Sequence, residues 1–147
     1  MTQLTKNFSL IELTSSETAV RKGIDNTPNQ IVIDNLKLAC ENTIQPLRDW
    51  YGKPINITSG YRSPKLNKAI GGSTTSDHCY GNAIDFTLPK EDYQKVFDWL
   101  RANVEFDQLI NEFNFQWIHV SFRMGQNRKQ VLKAVKNAIG QTKYLPT

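Results

Sequence analysis

The most informative stretch of this chain is residues 76–85, which read SDHCYGNAID. Residues 71–76 are too polar and too rich in glycine for regular structure and predict a loop. Residues 83–88 are mostly apolar and predict a strand. A loop that bears His78 therefore leads into a strand that bears Asp85. Imidazole and carboxylate groups are both common ligands of protein-bound metals.

The other of the two histidines lies in a second predicted strand. Residues 117–122 read WIHVSF, where alternation places His119 on the same face as Trp117 and Ser121. Residues 106–110 predict the strand that pairs with it through a short turn. Two imidazoles and one carboxylate from separate elements form a three-ligand set with an open fourth position, as in catalytic zinc sites. Spacing alone leaves the alternative of a loop histidine and a packed strand histidine.

The remaining patterns predict helices around these strands and a further strand over residues 55–59. Apolar steps of three and four residues predict a long amphipathic helix from Asn29 to Tyr51, with Pro46 in its last part. Shorter helices are predicted to start at Ser9, Ser16, Ser63 and Pro89, and a last helix with a basic exposed side covers residues 128–139. This order predicts a single α+β domain over residues 1–147, with a small antiparallel sheet flanked by helices.

Composition and charge exclude several classes of protein. With 39% hydrophobic and 22% charged residues, the chain is neither disordered nor collagen-like. The net charge of +4 suits an acidic partner but is too small to choose between nucleic acid and an anionic cell wall. No aromatic and basic interleaving is present, so no specific nucleic-acid partner is expected. Cys40 and Cys79 allow at most one bridge, which excludes a disulfide framework and a cysteine-rich zinc module.

The start of the chain bears on where the protein is made. Residues 1–10 lack the basic and apolar regions of a signal peptide, and no stretch approaches about 18 consecutive apolar residues. The expectation is a protein made in the cytoplasm, without an export signal of its own and without a membrane span.

Three separated motifs resemble the zinc D-alanyl-D-alanine peptidases. Residues 76–85 match every fixed position of the family's Ser-x-His-x-x-Gly-x-Ala-x-Asp motif. Residues 59–72, which contain SGYRSP, LN and GG, are similar to its arginine-bearing segment, and residues 117–121 to its second histidine strand. Residues 8–28 and 47–54 also look like phage-associated members. The resemblance covers nearly the whole chain and implies the hedgehog/DD-peptidase fold.

The resemblance implies a role for each matched residue. His78, Asp85 and His119 become the ligands of one Zn²⁺ per chain, and a water whose pKa falls to about 7 fills the open position. Arg62 binds a substrate carboxylate or stabilises the oxyanion, with a solvated surface arginine as the alternative. Ser76 either contacts substrate or caps the loop around His78. Cys79, at a variable position of the motif, is predicted to be an inert buried thiol.

The general base is where the sequence departs from the family pattern. Many members carry an acid three positions before the second histidine, but this chain has Gln116 there, which cannot exchange protons. Phage-type relatives show a similar FDQLI run followed by a glutamate, which points to Glu112, at the end of the strand that pairs with the one bearing His119. Asp107 is the alternative base, and a solvated turn glutamate is the alternative role for Glu112.

The resemblance implies a monomeric zinc peptidase that cuts the stem peptide of bacterial peptidoglycan, either as a D,D-carboxypeptidase or as an endopeptidase. Synthesis without a signal suits a phage lysis enzyme or a virion component, which reaches the wall through a membrane lesion or from a particle. A non-catalytic zinc-containing module that only binds the wall is the alternative function, because of Gln116.

Overall fold

The computed structural model of this protein describes residues 2–147, and its central element is a six-stranded sheet. The strand order is β1-β2-β4-β3-β5-β6, and every neighbouring pair is antiparallel except β3 and β5, which are parallel. The strands are β1 (Asn56–Ser59), β2 (Ala83–Thr87), β3 (Gln108–Glu112), β4 (Trp117–Ser121), β5 (Gln130–Lys136) and β6 (Thr142–Pro146). The α+β class predicted from the sequence is confirmed, with one parallel pair in a mostly antiparallel sheet.

The α-helices flank this sheet, and four of them begin where the sequence predicts caps, whereas the helix Tyr93–Asn103 follows a 3₁₀ turn, Lys90–Asp92, after Pro89. Ser9 forms a capping box with Glu12, and Ser16, Asn29 and Ser63 each accept a hydrogen bond from a backbone amide of the first turn. The helices are α1 (Leu10–Thr14), α2 (Glu17–Lys22), α3 (Gln30–Ala39), α4 (Gln45–Tyr51), α5 (Pro64–Ala69) and α6 (Tyr93–Asn103).

The predicted long helix exists but contains a turn of π-helix. Residues Cys40–Ile44 form this turn between α3 and α4, directly before Pro46. Proline has no backbone N–H and its ring crowds the preceding turn, so an α-helix cannot run through it unchanged. The wider turn accommodates the proline, and the helix keeps one apolar face, with Leu36, Ile44 and Leu47 fully buried.

The two faces of the sheet have different roles. Leu109, Ile118 and Val120 point to the face that packs with the helices in the main hydrophobic core. Side chains alternate along each strand, so Asp85 and His119 stand on the opposite face. That face is only partly covered, and it carries the candidate site.

The predicted helix over residues 128–139 is wrong, because most of this segment is strand β5. β5 pairs with β3 on one side and with β6 on the other, and the β5–β6 turn contains Gly140 at φ 81°. The alanines, lysines and leucine of the segment favour a helix locally, but the free edge of β3 supplies hydrogen-bond partners that only a strand can use. The basic side chains predicted on the exposed side of a helix therefore lie on the β5–β6 hairpin instead.

No helix within residues 2–147 combines the length and the apolar character that crossing a bilayer requires.

Candidate active site

The loop that bears His78 is held by its own hydrogen bonds. Ser76 caps a 3₁₀ turn, Asp77–Tyr80, by accepting from the His78 backbone N–H at 3.2 Å, which supports the capping role for its hydroxyl. The turn ends at Gly81, whose φ is 76° and where a Cβ would approach the Val32 carbonyl oxygen to 2.7 Å. Only glycine fits this turn, which directs the chain into β2.

The orientation of the His78 ring follows from one contact. His78 Nδ1 lies 2.6 Å from the Gly60 carbonyl oxygen, and a carbonyl can only accept, so Nδ1 carries the proton and donates. The lone pair of Nε2 is left free and faces Asp85, with Nε2 3.2 Å from Oδ2. A metal-ligating histidine is usually oriented by this kind of second contact.

The structure brings together all three predicted ligands. Asp85 and His119 are direct partners across β2 and β4, with Oδ1 2.9 Å from His119 Nδ1. One ligand atom from each of His78, Asp85 and His119 lies within 4.8 Å of the others, and all three side chains are at most 12% exposed. Two nitrogens, one carboxylate oxygen and a side open to a cleft fit a zinc site with an open position.

The charges in this group support a cation. Burial raises the pKa of the Asp85 carboxyl, but the two histidines outweigh burial and hold its pKa well below the usual range. Burial lowers the pKa of His119, but its hydrogen bond to Asp85 and the negative charges of Asp85, Glu112 and Asp77 together outweigh burial, so the pKa is raised. Among residues 2–147 no lysine or arginine forms an ion pair with Asp85. A buried carboxylate whose partners are two imidazoles is suited to bind a metal ion.

Arg62 lies beside this group and retains an unused donor. Its backbone N–H donates to the His78 carbonyl oxygen at 3.1 Å, which ties the arginine segment to the histidine loop. Its half-buried side chain lines the cleft, and burial lowers its pKa. Its Nε is buried and finds no hydrogen-bond partner in residues 2–147. A buried donor without an acceptor is costly, so this N–H is a donor that the described part of the chain leaves unsatisfied.

Glu112 reaches the cleft from the end of β3, opposite Trp117 of β4, in the predicted hairpin register. The residue is 6% exposed, and burial, with a smaller contribution from Asp85, raises its pKa to about 7. A carboxylate whose pKa is near neutrality can both accept and release a proton. Gln116 instead lies in the turn with an exposed side chain.

Asp107, the alternative base, is in a different environment. Its fully buried carboxylate accepts from Arg128 Nε at 2.9 Å and from Arg128 Nη2 at 2.8 Å, and Arg123 lies 3.6 Å away. The hydrogen bond to Arg128 lowers its pKa, and the side chain does not line the cleft. This carboxylate links the residue just before β3 to the segment that precedes β5, and it does not lie near the metal group.

We expect Asp107→Asn to lower the free energy of unfolding by about 1–3 kcal/mol, because it replaces charge-assisted hydrogen bonds to Arg128. The folded pKa lies below the usual 3.8, so the stabilisation is present at neutral pH and is lost as the pH falls below 3.8. Urea unfolding at pH 7 and at pH 3 measures both effects. A difference between wild type and variant that grows at pH 3 would contradict this role.

Both cysteines are free, and neither belongs to the ligand group. Cys40 is buried, and burial raises the pKa of its thiol to about 12. Cys79 is half-buried next to His78, and burial raises the pKa of its thiol as well. Both side chains therefore stay protonated thiols at neutral pH, which disfavours metal ligation by Cys79 in this conformation.

The cleft over the metal group has a volume of about 790 Å³ and a wall that the sequence analysis missed. Leu132, Lys136, Thr142 and Tyr144 of the β5–β6 hairpin line it. The helix predicted over residues 128–139 concealed them. In QVLKAVK, residues 130–136, the buried Leu132 and Ala134 stand on either side of the exposed Lys133, as in a strand. The same spacing of apolar residues also agrees with a helix, so the sequence alone did not show the strand.

A comparison with protein families shows which family the chain belongs to. A family model described as Peptidase M15 matches residues 6–121, which include His78, Asp85 and His119 together with Arg62 and Glu112. The chain belongs to this family of zinc peptidases. The match ends before β5, so the β5–β6 hairpin lies outside it. No curated protein matches the chain.

Proposed function

We propose that this protein is a zinc-dependent peptidase that hydrolyses the stem peptide of bacterial peptidoglycan. The observation that carries the proposal is the combination of groups in one cleft. A buried His-Asp-His group lies there with Glu112, whose pKa is near neutral, and with Arg62, whose Nε has no partner in residues 2–147. These are the groups that peptide hydrolysis needs: a metal site, a proton carrier and an anion binder.

His78, Asp85 and His119 would hold one Zn²⁺ per chain. When bound, Zn²⁺ polarises a carbonyl oxygen and lowers the pKa of a coordinated water from about 15.7 to about 7. The chain's own contribution is to fix the donors: the Gly60 carbonyl sets the His78 tautomer, and the β2–β4 register sets Asp85 against His119.

Glu112 serves as the proton carrier. Its carboxylate accepts a proton from the attacking water and then donates that proton to the amine that leaves. Its position at the end of β3 places it in the same cleft as the metal group, and burial raises its pKa to about 7, close to neutral pH. The acid that many relatives carry at the position of Gln116 is thus replaced by one from the neighbouring strand.

Arg62 serves as the anion binder. Its guanidinium presents a planar set of N–H donors, which suits either a terminal carboxylate of the substrate or the oxygen that becomes negative as the peptide carbonyl is attacked. The Arg62 side chain lines the cleft, so its guanidinium can reach such a ligand. Ser76 lines the same cleft, and its hydroxyl proton stays available to a substrate while its oxygen caps the His78 loop.

The stem peptide is the proposed substrate because it is short, rich in small side chains and carboxylates, and exposed in the wall. The +4 net charge favours approach to an anionic wall. We place the protein in phage-linked lysis or in a virion, acting as a monomer. The two activities differ in product: a carboxypeptidase releases one terminal D-alanine, whereas an endopeptidase cuts the stem internally.

Purified peptidoglycan and defined muropeptides, with products identified by mass, test this function. We expect turnover that a chelator abolishes and that Zn²⁺ restores, and one zinc per chain by metal analysis. His119→Ala should lose tightly bound zinc and the stabilisation it adds, about 4 kcal/mol at a thousandfold excess over Kd. The matched control is Cys79→Ser, adjacent to His78 but outside the ligand group, which should keep both zinc and turnover.

Two results would overturn the proposal. A full equivalent of zinc at a tetrahedral site in His119→Ala would exclude the assigned ligands. A wild type that binds zinc and wall but cleaves no muropeptide would favour the non-catalytic binding module.

A further inference from the structure

The β5–β6 hairpin forms one wall of the cleft, although it lies outside the segment that matches the family. Its site-facing side chains come from alternate positions, as expected for strands: Gln130, Leu132 and Lys136 on β5, and Thr142 and Tyr144 on β6. The hairpin is joined to the rest of the sheet by the parallel β3–β5 pair. Its position relative to Glu112 is therefore set by backbone hydrogen bonds.

The strand register aligns Tyr144 with Glu112. Glu112 pairs with Ala134, and Ala134 pairs with Tyr144, so the three residues form one row across β3, β5 and β6. Side chains in such a row stand on the same face, and strands are spaced by about 4.8 Å. Ala134 between them is fully buried and offers only a methyl group. A phenol thus stands two strands from the proposed proton carrier with no large side chain between.

The neighbouring row is apolar on the same side of the site. His119 pairs with Ile110, and Ile110 pairs with Leu132. The two aliphatic side chains therefore lie next to His119 in one row across β4, β3 and β5. Ile110 is 4% and Leu132 6% exposed, and they form a small cluster with Ala134. The cleft therefore has an apolar floor at Ile110 and Leu132, and it is also lined by the cationic side chains Arg62, Arg128 and Lys136.

The phenol of Tyr144 is available as a hydrogen-bond donor. The residue is 54% exposed, and no hydrogen bond from its hydroxyl is formed within residues 2–147. Burial of the phenol, with the negative charges of Glu112 and Asp85, raises its pKa, so the hydroxyl keeps its proton at neutral pH. An uncommitted donor above an apolar floor matches a peptide group next to an aliphatic side chain.

We propose that Ile110, Leu132 and Tyr144 form a substrate subsite on the hairpin side of the metal group. The aliphatic floor takes a small apolar side chain of the peptide, and the Tyr144 hydroxyl donates a hydrogen bond to a carbonyl or carboxylate oxygen of the same residue. This inference rests on the proposed function, because the ligand is the peptide substrate. Tyr144 is a specificity residue that contacts substrate and takes no part in the proton transfer.

The test compares Tyr144→Phe, which removes only the hydroxyl, with Tyr144→Ala, which also removes the ring. For a muropeptide with a complete pentapeptide stem, we expect Tyr144→Phe to raise KM about 2- to 10-fold with kcat nearly unchanged, as for loss of one uniform hydrogen bond. Tyr144→Ala should raise KM further. Leu145→Ala is the matched control, since alternation places Leu145 on the other face of β6.

A binding measurement separates this inference from the proposed function. Calorimetric titration of the same muropeptide into Glu112→Gln, with and without Tyr144→Phe and in the presence of Zn²⁺, reports the Kd without turnover. A Kd raised about 2- to 10-fold by Tyr144→Phe supports the subsite even if the wild type cleaves nothing. Values of KM and Kd within experimental error of wild type for both Tyr144→Phe and Tyr144→Ala would overturn it, whatever the activity.

Discussion

Replacing Glu112 with glutamine is expected to lower turnover about a hundred- to ten-thousandfold while zinc content and fold survive. The amide keeps the size and hydrogen bonding of the carboxyl but cannot exchange a proton. The side chain lies buried in the cleft, in register with Trp117 at the β3–β4 turn, so the change is nearly isosteric. The measurement is kcat on a defined muropeptide, together with metal analysis and thermal unfolding.

The same role has a consequence for pH. Burial raises the pKa of Glu112 to about 7, and only its deprotonated form can accept a proton. Activity of the wild type is therefore expected to fall as the pH drops below about 7, since the protonated fraction then increases. Glu112→Gln removes this group, so any fall below pH 7 that its residual activity keeps belongs to the coordinated water, whose pKa the metal would also bring to about 7.

Asp107→Asn and Gln116→Glu are the controls for Glu112. Asp107→Asn should lose stability but keep its kcat when folded, since Arg128 occupies this carboxylate. Gln116→Glu places an acid where many relatives have one. A fully active Glu112→Gln combined with a dead, folded Asp107→Asn would reassign the base to Asp107. If neither change matters, the mechanism needs no protein base and the proposed role of Glu112 is wrong.

Arg62→Lys is expected to lower kcat/KM about a hundred- to thousandfold, or about 2.7–4 kcal/mol of transition-state stabilisation. Lysine keeps the charge but loses the planar set of donors, including the Nε that has no partner in residues 2–147. The backbone contact to the His78 carbonyl is unaffected, so zinc content should not change.

The control for Arg62 is Arg101→Lys, the same substitution at an exposed position of α6. It should leave kcat/KM at the wild-type value. If Arg62→Lys also turns over at a normal rate, Arg62 does not bind the anion, and its half-buried side chain contributes to packing only.

The candidate ligand group could be predicted from the sequence through the family resemblance of its motifs, because each of those motifs is local. The motif at residues 76–85 needs only a capped turn, a glycine and a strand, and these are set by neighbours within a few residues. Alternation along residues 117–121 then puts His119 on one defined face. The glutamate at the end of the hairpin follows from the same short-range pairing.

The different environments of Glu112 and Asp107 could be seen only in the tertiary structure. Both acids lie near the predicted strand, and no local pattern shows which one is neutralised. Arg128, distant in sequence, donates to Asp107 and holds its pKa low, whereas Glu112 has no such partner among residues 2–147 and burial raises its pKa. Proton affinity depends on which charges and how much solvent surround a group, and the folded chain determines both.

The amino-acid sequence by itself determined the α+β class, four helix caps and the candidate ligand group that the fold brings together, since these rest on side-chain chemistry and short-range periodicity. Only the tertiary structure decided that residues 130–136 are a strand and that Tyr144 faces the cleft. The physical reason is that a segment with mixed local preference takes the conformation that satisfies the free hydrogen-bonding edge of β3, and that edge comes from a distant part of the chain.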